Sequence, residues 1–407
     1  MLNASIRDAV KATAPVLKEH GVTLTRHFYA RLFEHNPELI PVFNQGHQQA
    51  GHQQQALAMA VAAYAEHIDD PSVLMPVLTR VAHKHVSLGI RAEHYPIVGK
   101  HLLASIREVL GQAVATDELI NAWAAAYGQL ADLLMGLEQR LYGEAAGVSG
   151  GWSGWRGFTV QRKVRESDEI TSFHLTPADG GRVPAYRPGQ YVTVRVLVPE
   201  LGYNQPRQYS LSAAPGAPYL RISVKREGAG VQQAAGWVSN HLHDQVHEGM
   251  VVDVAPPMGE FHLHEDRDTP VVLISAGVGL TPMVSMLDHL LQTGSTRAIR
   301  FLHACRHGGV HAFGEHVRNL VAEYPQLRST VFYEHPRVET DRLGVHYDHV
   351  GRMNWDGLPM SAIAADADYY LCGPLPFMQD QVAQLRRRGV GVDRIHLEAF
   401  GTGGVAV

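Results

Sequence analysis

The sequence predicts a multidomain chain in three parts: an all-α part, an antiparallel β-barrel, and an α/β part built on a parallel sheet. Three observations predict this. Apolar residues recur every three or four positions up to residue 142, every second position after residue 155, and in unbroken runs between helical stretches from about residue 268. At roughly 150 residues per domain, 407 residues also suggest more than one domain.

In the first part, residues 1–142, Leu24, Phe28 and Leu32 form one stripe. Leu57, Ala60, Val61, Tyr64 and Ile68 form a second, and Leu74, Leu78, Val81, His85 and Leu88 a third. Val98, Leu102 and Ile106 form a fourth, and Leu119, Ala122, Trp123, Ala126, Leu130, Leu134, Leu137 and Leu141 a long last one. Such spacing predicts amphipathic helices around one core. Asn36-Pro37 marks a turn between them. Residues 143–155 read as a Gly-rich linker.

Residues 156–266 then alternate. Val192, Val194, Val196 and Val198 interleave with Thr193, Arg195 and Leu197, and Leu220, Ile222 and Val224 with Arg221, Ser223 and Lys225. This predicts antiparallel strands with one wet face. In residues 267–407, Val271-Val272-Leu273-Ile274, the core of 299–304 and Tyr369-Tyr370-Leu371 are continuous apolar runs. Helical stretches at Met283–Leu291 and Met378–Arg388 lie between or beyond them, the pattern of a parallel sheet covered on both faces.

Composition narrows function. The formal charge is −5, which argues against a non-specific nucleic-acid binder. No apolar run reaches the roughly 18 residues of a membrane span. The N-terminus shows no secretory pattern, so a cytoplasmic protein is expected. Its two cysteines, Cys305 and Cys372, exclude a disulfide scaffold or cysteine cluster. The 25 histidines invite a metal hypothesis that position must refine.

Ser275-Ala276 leads from the first buried strand into Gly277-Val278-Gly279-Leu280-Thr281-Pro282. The glycines permit close approach of a ligand, and Thr281 and Pro282 suit a helix N-cap and first helical position. The helix N-terminus would face a pyrophosphate. Pro282 stands where a full dinucleotide fingerprint has its third glycine, so a plain tight turn is the other reading. The set formed with Arg207-Gln208-Tyr209-Ser210, Cys372-Gly373-Pro374 and Glu398-Ala399-Phe400-Gly401 resembles the ferredoxin–NADP reductase family over about 250 residues.

That resemblance implies FAD bound by Arg207, Gln208, Tyr209 and Ser210, with Tyr191 beside it and Ser239 and Asn240 in a second phosphate loop. The stretch 228–236 is long for the family. Ala399, Phe400, Gly401 and Thr402 would also bind FAD, with Phe400 guarding its nicotinamide side. NADH or NADPH would sit on Gly277–Pro282 and on Cys372, Gly373 and Pro374. Cys372 as an inert core thiol and Phe400 as terminal packing stay open as alternatives.

Among the helical histidines, His83 and His85 point roughly 200° apart on one helix, so they cannot share a ligand. His85 lies on an apolar stripe, where a satisfied core histidine is the usual reading. Glu138 extends the stripe of Leu130 and Leu134, and an inward carboxylate needs a partner. With Tyr29, Phe43, Gln53, Leu57 and Tyr95, and with Asn36-Pro37-Glu38-Leu39, Lys84-His85 and Val98-Gly99-Lys100-His101, the first part resembles a globin. The whole chain resembles the flavohemoglobins along essentially its full length.

This resemblance implies heme b, with His85 as the proximal iron ligand and Tyr95 and Glu138 behind it. Tyr29 and Gln53 would face the distal ligand, Phe43 and Leu57 would pack the pocket, and Lys84 and Glu398 would tune potentials along the heme–flavin path. The implied activity is nitric oxide dioxygenase, in which NAD(P)H reduces FAD, FAD reduces heme iron, and nitric oxide and oxygen yield nitrate. The alternative is an oxygen-binding or redox-sensing globin kept ferrous by its reductase module. The implied partners are small molecules, with no nucleic acid and no membrane, and the chain is expected to be a monomer. Arg306 after the second α/β strand could accept a 2′-phosphate or be a solvated charge, which leaves NADH against NADPH open.

Overall fold

The computed structural model describes residues 2–43, 51–229, 236–356, 358, 364 and 366–400. The chain forms two compact units: Met1–Trp155 with Arg195–Arg207, and Arg156–Val194 with Gln208–Val407.

The first unit is helical, with α1 (Ala4–Ala12), α2 (Ala14–His35), α3 (His52–Glu66), α4 (Met75–Leu88), α5 (His94–Leu110) and α6 (Asp117–Gly147). The Asn3 and Thr116 side chains accept from Ile6 N and Leu119 N, capping α1 and α6. Helix α2 buries Leu17, Leu24, Phe28 and Leu32 and stops before Pro37, where a 3₁₀ turn follows. Helix α4 ends at Gly89, whose φ of 78° admits the left-handed turn. Helix α6 runs on to Gly147, into the stretch read as linker.

The apolar core of this unit falls into two clusters. One holds Leu24, Phe28, Tyr29, Leu32, Val61 and Trp123, with Phe43 and Leu57 against it. The other holds Leu78, Ala82, Tyr95, Ala131, Leu134 and Leu137. A compact domain usually has one contiguous core, so this division is a structural feature to be explained.

The second unit carries the parallel sheet and most of the antiparallel one. The antiparallel sheet contains β1 (Arg156–Arg165), β2 (Ile170–Pro177), β3 (Tyr191–Val198), β4 (Tyr203–Ser210), β5 (Leu220–Lys225) and β6 (Val251–Val254), in the order β4-β3-β6-β1-β2-β5. A bridge from Leu211, just past β4, to Ile222 of β5 brings the two edges together as a barrel. The segment Arg195–Arg207, which spans the end of β3, the turn after it and the start of β4, groups with the helices. The wet face expected of these strands is incomplete. Thr193 and Ser223 are buried, and Ser172, Ser212 and Ser223 satisfy one another through hydroxyl contacts of 2.8 Å. Short hydroxyls can enter a covered face when they find each other.

The second sheet contains β7 (Val271–Ala276), β8 (Ile299–Cys305), β9 (Leu327–Tyr333), β10 (His349–Val350), β11 (Asp368–Cys372) and β12 (Ile395–Glu398). Its order is β10-β9-β8-β7-β11-β12, and every pairing is parallel. Val271 and Leu273 enter one core cluster while Val272 and Ile274 enter another, which is why the run is apolar at every position. The order reverses between β7 and β11, the place where open α/β sheets take ligands. Helices α8 (Leu280–Gln292), α9 (Gly314–Glu323) and α10 (Leu375–Arg387) cover the sheet, and α7 (Trp237–Asp244) belongs to the barrel region.

Several histidines are packing residues of this second unit. His303 is fully buried, its Nδ1 lies 2.9 Å from Ser275 Oγ, and its ring stacks on His311 at 4.7 Å. His174 stacks on Tyr219 at 4.2 Å. Burial lowers the pKa of His303 far below the usual value and those of His174 and His311 to about 4. The unfolded chain therefore binds protons below about pH 6.5 that the folded chain refuses. Stability should fall as the pH drops from 7 toward 5, by up to about 1.4 kcal/mol per pH unit for each such histidine. Thermal unfolding across that range checks this, and His303→Asn should flatten the slope.

Candidate functional site

Helices α4, α5 and α6 meet at Glu138, a carboxylate with 3% of its surface exposed. His85 Nδ1 lies 2.7 Å from Glu138 Oε1, and the Tyr95 hydroxyl donates to the same oxygen at 2.5 Å. An ionised carboxylate only accepts, so Nδ1 carries the proton and a neutral His85 keeps its lone pair on Nε2. The Tyr95 hydroxyl also lies 3.3 Å from Nδ1, and burial together with the Glu138 charge raises its pKa. Tyr127, which the sequence reading missed, donates to the Tyr95 carbonyl at 2.6 Å. It sits four residues past Trp123 on the stripe of α6, and Gly99 leaves room for its ring: a Cβ there would lie 2.5 Å from it.

On the other cluster, the Thr25 hydroxyl of α2 lies 2.9 Å from the Gln54 carbonyl of α3, which joins the helices that carry Tyr29 and Gln53. The Tyr29 ring packs edge-on against Phe43 at 5.6 Å. Its hydroxyl has no hydrogen-bond partner among the described residues, and burial alone raises its pKa. Gln53 Oε1 is likewise buried without a hydrogen-bond partner among the described residues. Leu57 is partly buried against the same cluster. A flat apolar group between the two clusters would explain the divided core, an imidazole with a spare Nε2, and the unpartnered polar atoms. These residues fit a heme. Lys84, next to His85, is half-buried, and burial lowers its pKa.

In β4, Gln205, Pro206 and Ser210 are buried, Arg207 and Tyr209 half-buried, and Gln208 exposed. Arg207 Nη1 donates to Gln205 Oε1 at 3.3 Å and to the Pro206 carbonyl at 2.7 Å, while Gln205 Nε2 lies 3.4 Å from the Phe43 carbonyl. Gln205 was not singled out from the sequence. Its only signal is its place two residues before Arg207, on the same face of the strand.

Tyr191 pairs through both backbone groups with Met258. Gly259, at φ 116°, lies beneath its ring, where a Cβ would stand 3.1 Å away. Ser239 and Asn240 open α7, but their side chains bond to Gly236 and Glu227 and so hold the approach to the helix. The first-turn N–H groups of α7 have no acceptor within the helix itself. Glu398 ends β12 opposite Cys372, Ala399 follows it, and Phe400 is 47% exposed. Gly401 and Thr402 lie outside the described residues.

The loops after β7 and β11 interlock. A Cβ on Gly279 would stand 2.2 Å from the Cys372 carbonyl oxygen, and one on Gly373 3.1 Å from the Ala276 Cβ. Val278 lies in the 3₁₀ turn Gly277–Gly279, Leu280 begins α8, and Pro374 precedes α10. This corrects the expected helix start. Gly279 is the N-cap, Thr281 and Pro282 already lie inside the helix, and the Thr281 hydroxyl donates to the Val278 carbonyl at 3.1 Å. The helix starts early because Gly279 can pass under the Cys372 carbonyl. Cys372 itself is fully buried with a raised pKa, and burial pushes Cys305 up to about 12. Neither thiol is poised as a thiolate. A cavity of about 730 Å³ opens beside the ends of β8 and β9, lined in part by Gly308, Gly309, His311, Tyr333, Arg337 and Asp341.

Comparison with known proteins agrees with this layout. A globin profile matches residues 26–134, an oxidoreductase FAD-binding domain profile residues 157–263, and an oxidoreductase NAD-binding domain profile residues 273–383. The chain is 65% identical to a flavohemoprotein of Bordetella parapertussis over 407 residues, 100% of both chains. It is 62% identical to a flavohemoprotein of Chromobacterium violaceum over 99% of both. Its fold matches a Malassezia yamatoensis flavohemoglobin crystal structure with bound FAD and heme at a TM-score of 0.85 and 27% identity, covering 98% of this chain and 100% of the other. The FAD/NAD-binding domain of a Vibrio cholerae nitric oxide dioxygenase matches at 0.55 and 40% identity, covering 60% and 98%.

The Gly279 contact yields a direct test. Gly279→Ala should raise the KM for pyridine nucleotide about tenfold or more, because backbone on backbone cannot yield as a flexible side chain can. Flavin and heme content should stay unchanged. Steady-state kinetics with cofactor absorbance as the control checks it.

Proposed function

The chain belongs to the flavohemoprotein family, and on that premise we propose that it is a nitric oxide dioxygenase, turning nitric oxide and oxygen into nitrate at the expense of NADH or NADPH. The observation that carries the reading is the His85–Glu138–Tyr95 network. When bound, the groups supply the redox chemistry: flavin takes a hydride and releases single electrons, and heme iron works one electron at a time and activates oxygen.

On this reading the chain's own residues do the rest. His85 Nε2 holds the iron. Glu138 keeps the Nδ1 proton partly shared and makes the imidazole more electron-donating, which favours oxygen activation over storage. Tyr95 shares the same carboxylate oxygen and keeps the ring oriented. Tyr29 of α2, whose buried hydroxyl stays protonated, would offer a hydrogen-bond donor to the reacting oxygen, with Gln53 of α3 as a second polar group. Tyr191, Arg207, Tyr209 and Ser210 hold the flavin, and Gly277–Pro282 with Cys372–Pro374 hold the nucleotide. The two-electron donor and one-electron acceptor explain why one chain carries both modules.

The decisive experiment is nitric oxide consumption by the loaded protein in air with NADH, read at an electrode together with nitrate formation. Absence of heme-dependent consumption overturns the reading. Glu138→Gln should slow turnover about 10- to 100-fold while leaving oxygen affinity within about twofold. Equal loss of both would favour an oxygen-binding protein kept ferrous by its reductase. Tyr29→Phe should lower oxygen affinity about tenfold, since a buried partner loses its donor, with flavin reduction by NADH unaffected.

A further inference from the structure

We infer that the turn between β1 and β2 selects the pyridine nucleotide: Asp168 and Glu169 occupy the arginines at the carboxyl ends of β8 and β9, so the 2′-phosphate of NADPH is excluded and NADH is the preferred hydride donor. The inference rests on the reductase part of the reading above and not on its heme chemistry.

In an open parallel sheet, the dinucleotide lies across the carboxyl ends of the strands with its pyrophosphate on the helix after the first strand. Residues just past the second strand read the adenosine ribose. A carboxylate suits the free 2′-hydroxyl, and an arginine suits a 2′-phosphate. Here β7 is the first strand and β8 the second, so Arg306 and His307 occupy the reading position. Arg337 reaches the same place from the loop after β9, with Nη2 3.3 Å from His307 Nε2.

Neither arginine is available. Arg306 Nη2 pairs with Glu169 Oε1. Arg337 Nη1 lies 3.4 Å from Asp168 Oδ2, and Asp168 also takes Arg165 at 2.9 Å. The turn that presents these carboxylates is built into place. Asp168 N donates to the Gly309 carbonyl at 2.8 Å, Glu166 N and Ser167 N donate to the Ile170 carbonyl, and Ser167 Oγ accepts from Glu169 N and Ile170 N.

Two adjacent glycines make room for the arrangement. A Cβ on Gly309 would lie 2.5 Å from both Asp168 Oδ2 and Arg337 Nη1. A Cβ on Gly308 would lie 2.2 Å from Asp341 Oδ1, while Asp341 Oδ2 accepts from Gly308 N at 3.1 Å and Arg337 N at 2.7 Å. Glu169 thus pairs with Arg306, Asp168 with Arg165 and Arg337, and Asp341 holds the backbone of Gly308 and Arg337 in place. Burial and the flanking arginines lower the pKa of His307, so it adds no charge near neutral pH. A 2′-phosphate would have to displace a carboxylate from its arginine and then remain beside it.

These pairs are substantially exposed, with side-chain exposures of 53% and 32% for Arg306 and Glu169 and 46% and 43% for Arg337 and Asp168. Exposed pairs add little to stability, so neutralising the carboxylates should leave the fold intact. The test is anaerobic stopped-flow reduction of the flavin in the FAD-loaded full chain by each nucleotide, with no nitric oxide present. The unsubstituted protein should favour NADH at least about tenfold, mainly through apparent Kd, and salt should shrink the margin.

Asp168→Asn with Glu169→Gln should improve the apparent Kd for NADPH about tenfold and leave NADH within about twofold. Glu169→Gln alone, which spares the turn's backbone contacts, should give part of the gain. Equal use of both nucleotides by the unsubstituted protein overturns the inference. So does an unchanged ratio in variants that unfold at the same temperature. A flavin reduced by neither nucleotide would instead overturn the assignment of the dinucleotide site.

Discussion

A carboxylate removed from water is tolerable only when donors reach it, and in the helical unit that carboxylate is Glu138. Its donors come from elsewhere: His85 from α4 and Tyr95 from α5, both onto Oε1. One charge therefore ties three helices together and decides which nitrogen of His85 is protonated. The second core cluster assembles around this knot, with Leu78, Ala82 and Tyr95 on one side and Ala131, Leu134 and Leu137 on the other. The same arrangement leaves Nε2 facing away from the carboxylate. Structural tolerance of the buried charge and the electronic character of the imidazole have one cause.

The nucleotide-binding end depends on a different constraint, the space left where glycine has no Cβ. Gly279 passes under the Cys372 carbonyl, Gly373 meets Ala276, and Gly308 and Gly309 admit Asp341 and Asp168. Each is a close approach between segments far apart in sequence. The Gly279 contact is with backbone and those of Gly308 and Gly309 are with charged groups, so they bear on where the helix after β7 begins and which charges surround the end of β8. In this unit the buried Cys372 matters through its carbonyl, and its thiol is inert.

Much of the fold was legible. Leu24, Phe28 and Leu32 predicted a buried helix face, and Val271–Ile274 a doubly covered strand, because period reports how many faces of an element are buried. Glu138 was legible as an inward carboxylate that demands a partner, and His85 as a histidine on an apolar stripe, but only the resemblance to globins joined them with Tyr95 as a set. Less was legible where long-range contact overrules local signal. Thr281 looked like a cap, but α8 starts before it. Thr193 and Ser223 looked solvent-facing, but both are buried. Gln205 and Tyr127 carry only a weak local mark, their place on the same face as Arg207 and Trp123.

The amino-acid sequence alone determined the three changes of periodicity, the helical, barrel and parallel-sheet classes, and the short list of polar residues that an apolar stripe cannot hold unaided. These follow from neighbours within a turn or a strand, which is the range over which period and propensity act. Only the tertiary structure decided that Glu138 meets His85 across 53 positions, that the loop after β7 fits under the end of β11, and that Glu169 reaches Arg306 across 137. Those contacts depend on burial, charge and excluded volume between distant segments, which act once the chain has folded back on itself.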